Sequence, residues 1–129
     1  MEQSAVELGK LIKAQAMFER FRRDMQDDRD QAGAVQAFKV CYELALRIIK
    51  AALVAQRVEA TSPKDIFRKA ADAKIVDNAD VWFNFQEKRN LTAHTYEQEN
   101  FAVIVATFDL FSAELNKVIL AASLIITKG

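Results

Sequence analysis

One segment, Arg89-Asn90-Leu91-Thr92-Ala93-His94-Thr95-Tyr96, gathers a permanent cation, an amide, the only imidazole of the 129-residue chain and a phenol. A guanidinium grips two phosphate oxygens at once and an imidazole moves a proton near neutral pH, so the set suits chemistry at a phosphodiester. On a regular helix the spacing opposes this. Five residues carry the chain about 140° around the axis, which puts Arg89 and His94 on different faces unless the last turn frays or bends. Tyr96 falls beyond the helix end. Each residue also has a plainer reading: His94 caps carbonyls, Arg89 pairs with a surface carboxylate, Asn90 is solvated, and Tyr96 lays its ring on the core with its hydroxyl outside.

Other chemistries lack their residues. With one His and one Cys, and no HExxH, CxxC or paired Glu-x-x-His segments, a metal site is not expected. Gly9, Gly33 and Gly129 are isolated, so no phosphate-cradling loop and no nucleotide cofactor is expected. Cys41 has no partner for a disulfide and reads as a small buried residue. Glu2, Glu7, Lys10 and Lys13 interrupt any signal-peptide core, which points to the cytoplasm. The longest uncharged run, Val118 to Thr127, has ten residues, against roughly 20 for a membrane span. Charge speaks against strong sequence-independent RNA binding: 18 basic residues balance 18 acidic ones, and Asp77 to Glu99 holds five acids against Lys88 and Arg89. A cleft in a dimer still focuses local positive potential, and an acidic rim suits a protein partner.

The elements that must position the segment are helices. Three Gly and one Pro leave too few turns for a sandwich or barrel. One all-α domain over residues 1–129 is expected. The first helix runs from about Ser4, capped in an S-x-x-E box with Glu7, to about Gln26, with Leu8, Leu11, Phe18, Phe21 and Met25 on one face. Asp27, Asp28 and Asp30 open a second, whose stripe of Val35, Phe38, Tyr42, Ala45, Ile49 and Ala52 lasts to about Val58. Ser62 and Pro63 start a short third helix to about Ala73. After a turn over Lys74 to Asp77, Asn78 caps a fourth carrying Val81, Trp82 and Phe85 and ending near His94. A long fifth, about Glu97 to Ile126, carries Phe101, Ile104, Phe108, Phe111, Leu115, Val118 and Ala122. Three long and two short helices with brief loops predict an up-and-down antiparallel bundle.

The string RNLTAHTY matches the R-x4-H-x-Y signature of HEPN-domain proteins. With Phe38, Tyr42 and Glu43 on the second helix, Trp82 seven residues before Arg89, and a long final helix, the chain resembles their nucleotidyltransferase substrate-binding subfamily over nearly its whole length. The resemblance implies a HEPN-like bundle paired with a separate minimal nucleotidyltransferase, often as toxin and antitoxin, with the HEPN member a metal-independent ribonuclease. On this sequence it implies that Arg89 binds the scissile phosphate, Asn90 orients its neighbours, His94 transfers protons, and Tyr96 is the residue the partner modifies with AMP. It equally implies a non-catalytic, substrate-binding subunit as the alternative.

Attack by a ribose 2′-hydroxyl needs both a base and an acid, and one His cannot be both. A homodimer with two Arg89 and two His94 in a shared cleft supplies them. A third reading is a purely structural dimerisation module. Elsewhere the bland readings lead. Trp82, Phe83 and Phe85 form a stacking platform or, more simply, core. Glu43, four residues from both Lys39 and Arg47, fits a surface salt-bridge lattice. The basic run Lys10, Lys13, Arg20, Arg22 and Arg23 fits a solvated face.

Overall fold

A computed structural model describes residues 2–94 and 98–128, and among them there are helices and no strand. The elements are α1 (Glu2–Arg23), α2 (Asp28–Ala55), α3 (Pro63–Asp72), α4 (Ala79–Leu91) with a 3-10 turn over Thr92–His94, α5 (Gln98–Val105) and α6 (Phe108–Lys128).

Side-chain caps explain the starts of α2, α3 and α4. The Asp27 carboxylate accepts from the Asp30 N–H at 2.8 Å, and the Asp30 carboxylate reaches back to the Gln26 N–H at 3.0 Å. One donor that the helix leaves orphaned and one in the chain leading into it are thus satisfied reciprocally. Ser62 and Asp65 repeat the device on the N–H groups of Asp65 and Thr61, with Pro63 at the first helical position. Asn78 caps α4 by accepting from the Asp80 N–H at 2.8 Å.

Two expected helices differ. The first begins before Ser4, which lies inside α1; Glu7 bonds the Gln3 side chain and pairs with Lys10 instead of closing a box. It also stops at Arg23, leaving Met25 half-buried outside it. The long final helix is two, α5 and α6, broken at Ala106 and Thr107. The Thr107 hydroxyl donates to the Val103 carbonyl at 3.1 Å, the back-bonding that bends helices, while its own carbonyl accepts from the Phe111 N–H. The kink keeps the helical phase, so Ile104, Phe108, Phe111, Leu115, Val118 and Ala122 all remain buried on one face.

Side-chain pairs give the directions. Phe21 lies against Gly33, and Ala14 and Met17 share a groove with Ala37 and Val40, so α1 and α2 are antiparallel. Gln15 with Asn116, Glu19 with Ser112 and Arg22 with Asp109 make α1 antiparallel to α6. Lys117 with Asp77 and Phe111 with Phe85 make α4 antiparallel to α6. The result is an antiparallel bundle of α1, α2, α4 and α6 in which α2 touches every other element. Its centre is a run of rings, Phe18, Phe38, Phe108, Phe111, Phe85 and Trp82 meeting mostly edge to face and Phe67 joining Trp82 at a tilt. No described helix is long and apolar enough to cross a membrane.

Candidate functional site

The segment singled out by its chemistry sits where α4 ends against the middle of α2. Arg89, in the last turn of α4, is half-buried and sends its guanidinium across to Glu43 on α2, with Nη2 3.5 Å from Oε1. Next to the pair lies Tyr42, 3% exposed, whose hydroxyl has no hydrogen-bond partner among the described residues. Burial pushes that hydroxyl above the usual phenol range; the charge of Arg89 pulls it down and Glu43 adds to the rise. The helix terminus itself is closed by Thr92, whose hydroxyl donates to the Arg89 carbonyl at 2.6 Å and whose N–H caps Arg89 and Asn90.

After Leu91 the chain tightens instead of unwinding, and the 3-10 turn ends on His94. His94 is exposed, and its carbonyl accepts from the Asn100 side chain at 2.8 Å, which ties the turn to α5. Ideal helical and 3-10 rotations over these five residues leave the Arg89 and His94 side chains about 160° apart, so tightening does not bring them onto one face. Asn90 is exposed and turned toward α3, where it lines a notch with Lys64, Arg68, Phe83, Gln86 and Glu87. Tyr96 lies outside the described residues.

The partner of Arg89 is a correction to the reading of Glu43. Among the described residues its ion pair is with Arg89 across two helices, not with Lys39 or Arg47 along its own. The ring cluster divides: Trp82 and Phe85 are wholly buried, whereas Phe83 is half-buried beneath the Arg68 guanidinium, 5.6 Å from its centroid. In the basic run of α1, Arg22 is tied to Glu19 and Asp109. Another concavity, lined by Ala14, Met17, Phe21, Gly33, Gln36, Ala37 and Val40, presents no titratable group. Among the described residues no cluster of His, Cys, Asp or Glu is placed to hold a metal ion.

Two buried neighbours on α2 have a pH signature. Cys41, fully buried beside Tyr42, has its thiol pushed up to about 12 by burial and, secondarily, by the charge of Glu19. Both groups fold in their neutral form with raised pKa values. Their contribution is therefore complete below the unfolded thiol and phenol ranges, roughly 8.5 and 10, and is lost as pH rises through the folded values. Thermal unfolding temperatures are expected to fall as pH rises above that lower limit, and a Cys41→Ala/Tyr42→Phe variant should flatten the decline. An unchanged slope in the variant would assign the alkaline loss elsewhere.

Residues 4–122 match the family described as nucleotidyltransferase substrate binding protein like. Probable ribonuclease HepT of Haemophilus influenzae is 34% identical over 88 residues, which span 64% of this chain and 60% of that protein. The chain thus covers less than two thirds of that relative. Among solved structures, a Haemophilus influenzae protein described as revealing the fold of a substrate binding domain of a nucleotidyltransferase is 28% identical, with a TM-score of 0.79 over 90% of this chain and 98% of that one. A Thermus thermophilus protein shares the fold at 21% identity, with a TM-score of 0.81 over 87% and 98% of the two chains.

Proposed function

Because this chain belongs to the nucleotidyltransferase substrate binding protein like family, we propose that it is the helical partner of a minimal nucleotidyltransferase and cleaves RNA without a metal, as a homodimer, through Arg89 and His94. The observation that carries the proposal is the Arg89 site: a half-buried guanidinium held over the bundle by a long, solvent-screened contact to Glu43, directly before the turn that carries His94. Such a pair is worth at most about 1 kcal/mol. A phosphate that offers two oxygens to the fork outcompetes one distant carboxylate oxygen, so Glu43 keeps the guanidinium in place until substrate displaces it.

The chemistry follows from what the residues supply. The ribose 2′-oxygen attacks the adjacent phosphorus and gives its proton to one imidazole; the P–O5′ bond breaks, and the 5′-oxygen takes a proton from a second. The products are a 2′,3′-cyclic phosphate and a 5′-hydroxyl. Arg89 neutralises charge building on the non-bridging oxygens, and Asn90 orients its neighbours. Because Arg89 and His94 diverge along one chain, a cleft between two copies is the arrangement that gathers both pairs.

Purified protein incubated with RNA in excess chelator is expected to yield cyclic-phosphate ends, and an Arg89→Ala/His94→Ala variant is expected to yield none. Equal cleavage by both would mean a contaminating nuclease and would remove the proposal. The description of the solved relative as a substrate binding domain favours a second reading, a non-catalytic substrate-binding subunit that presents substrate to the partner; in its other form the chain is itself the partner's substrate. The Tyr96 oxygen then attacks the α-phosphorus of ATP, pyrophosphate leaves and the phenolic proton is lost. The partner enzyme with ATP and magnesium should add one AMP mass, which Tyr96→Phe should abolish.

A further inference from the structure

The notch beside Asn90 is built by two facing helical stripes. On α3, Lys64 and Arg68 stand four residues apart; on α4, Phe83, Gln86, Glu87 and Asn90 follow at helical spacing, and together they line an open notch of about 430 Å³. That lies inside the roughly 300–1,000 Å³ of small-ligand sites. Its walls divide into the three kinds of group that a nucleotide needs: an aromatic face, two side-chain amides able to donate and accept at a base edge, and two cations for a phosphate.

Among the described residues the cations are not ion-paired. Lys69, not Arg68, takes the Asp65 carboxylate; Asp65 feels the charge of Arg68 without pairing with it, and neither Lys64 nor Arg68 is within 4.0 Å of a described acid. Both are exposed, and the Arg68 guanidinium rests on the Phe83 ring, a weak contact that a base readily replaces. Phe83 itself differs from Trp82 and Phe85, which the core consumes. Glu87 is the one acid in the lining, so the lining itself carries an excess of one positive charge.

We propose that this notch is a nucleotide subsite, in which Phe83 stacks on a base, Gln86 and Asn90 read its edge, and Lys64 and Arg68 hold the attached phosphate. It deepens the ribonuclease reading and rests on it only for the source of the nucleotide. Asn90 follows Arg89 in the chain, so the notch lies within reach of a nucleotide neighbouring a scissile phosphate at Arg89. The chain's neutral net charge then ceases to be an objection, because a stacking pocket with two local cations does not need a basic domain.

Binding is measured apart from cleavage, with a fluorescein-labelled 2′-O-methyl oligoadenylate, which has no free 2′-hydroxyl to attack, and with AMP. Lys64→Ala/Arg68→Ala should weaken oligomer binding about ten-fold and flatten its salt dependence by one to two charges' worth. Glu87→Gln should tighten it about two-fold or more. Phe83→Trp places at the notch an indole that a stacked base quenches, while Trp82 stays buried. Quenching by both probes identifies a free-nucleotide site, and quenching by the oligomer alone identifies a strand site; either supports the proposal. Unchanged affinity and salt slope in the double variant, or an indole blind to both probes, overturns it. A protein that binds through the notch but never cuts RNA overturns the ribonuclease reading and leaves the notch standing.

Discussion

Phe111→Ala is expected to lower the unfolding free energy by about 3–5 kcal/mol, the range for emptying a buried aromatic site. Phe111 is wholly buried and sits where three helices meet α6: its ring touches Phe18 of α1, Phe38 of α2, and Trp82 and Phe85 of α4, with centroids 4.8–6.0 Å apart. Truncation removes the partner of four rings at once, and those rings belong to different helices, so the void cannot close by one side chain turning. The unfolding temperature should drop by of order 10–20 °C. Phe21, 36% exposed on α1, is the control. Its truncation should cost about half as much or less, since about a third of its surface is already in water and the rest lies along an open groove instead of inside the ring cluster. Urea melts of both variants decide the matter. If the two losses match, the ring cluster is not what holds α6 to the bundle.

The same residues show how far the fold is legible from sequence. Periodicity locates the core stripes of the long helices because burial, which the bundle imposes on one face of each rod, is what apolar spacing encodes. It misplaces Phe21, which is exposed, and the short α3, with Ile66, Phe67 and Ala70 inside, is too brief to show a stripe. Asp27, Ser62 and Asn78 are readable as starts because a capping side chain acts within three residues of itself. Ends are harder. Both α2 and α3 finish in left-handed Schellman turns made by Arg57 (φ 61°) and Lys74 (φ 62°), not by glycine. An arginine or lysine in that role leaves no signature in composition, since the N–H groups of Val58 and Ile75 closing the turns are backbone. The break at Thr107 is hidden for a related reason. A threonine inside an unbroken apolar stripe bends a helix without shifting its phase, so the pattern on either side reads as continuous.

At the site, the motif and its surroundings are legible to different degrees. Arg89, Asn90 and His94 announce themselves as types at a spacing, and Arg89 and Asn90 do stand on a helix end that faces α2 and α3. The role of Glu43 cannot be read from its neighbours, because its local partners Lys39 and Arg47 satisfy the helix rule equally well and only tertiary packing chooses Arg89. Tyr42 reads as one more member of the α2 stripe. Its hydroxyl, beside the ion pair and without a partner among the described residues, emerges only once α4 is laid across it. The notch is likewise a product of two helices. Lys64, Arg68 and Phe83 carry no shared motif, and their meeting depends on the angle at which α3 crosses α4.

His94→Ala is expected to slow RNA cleavage by about 10²–10⁴-fold, the usual cost of removing a positioned acid or base, with little change in the melting temperature because the side chain is exposed. The size of the loss does not by itself locate the second proton carrier, but mixed dimers do. If one cleft uses both imidazoles, one as base and the other as acid, a dimer of wild-type and His94→Ala chains is as dead as the double variant. Random mixing of equal amounts should then leave about a quarter of the wild-type rate, following the square of the wild-type fraction. Two independent sites, each complete within one chain, would leave about half. A rate that tracks the half-value line would dissolve the shared cleft while sparing the motif. A His94→Ala protein that cuts at full speed would remove proton transfer from His94, and with it the reason for treating Arg89 as anything more than the partner of Glu43.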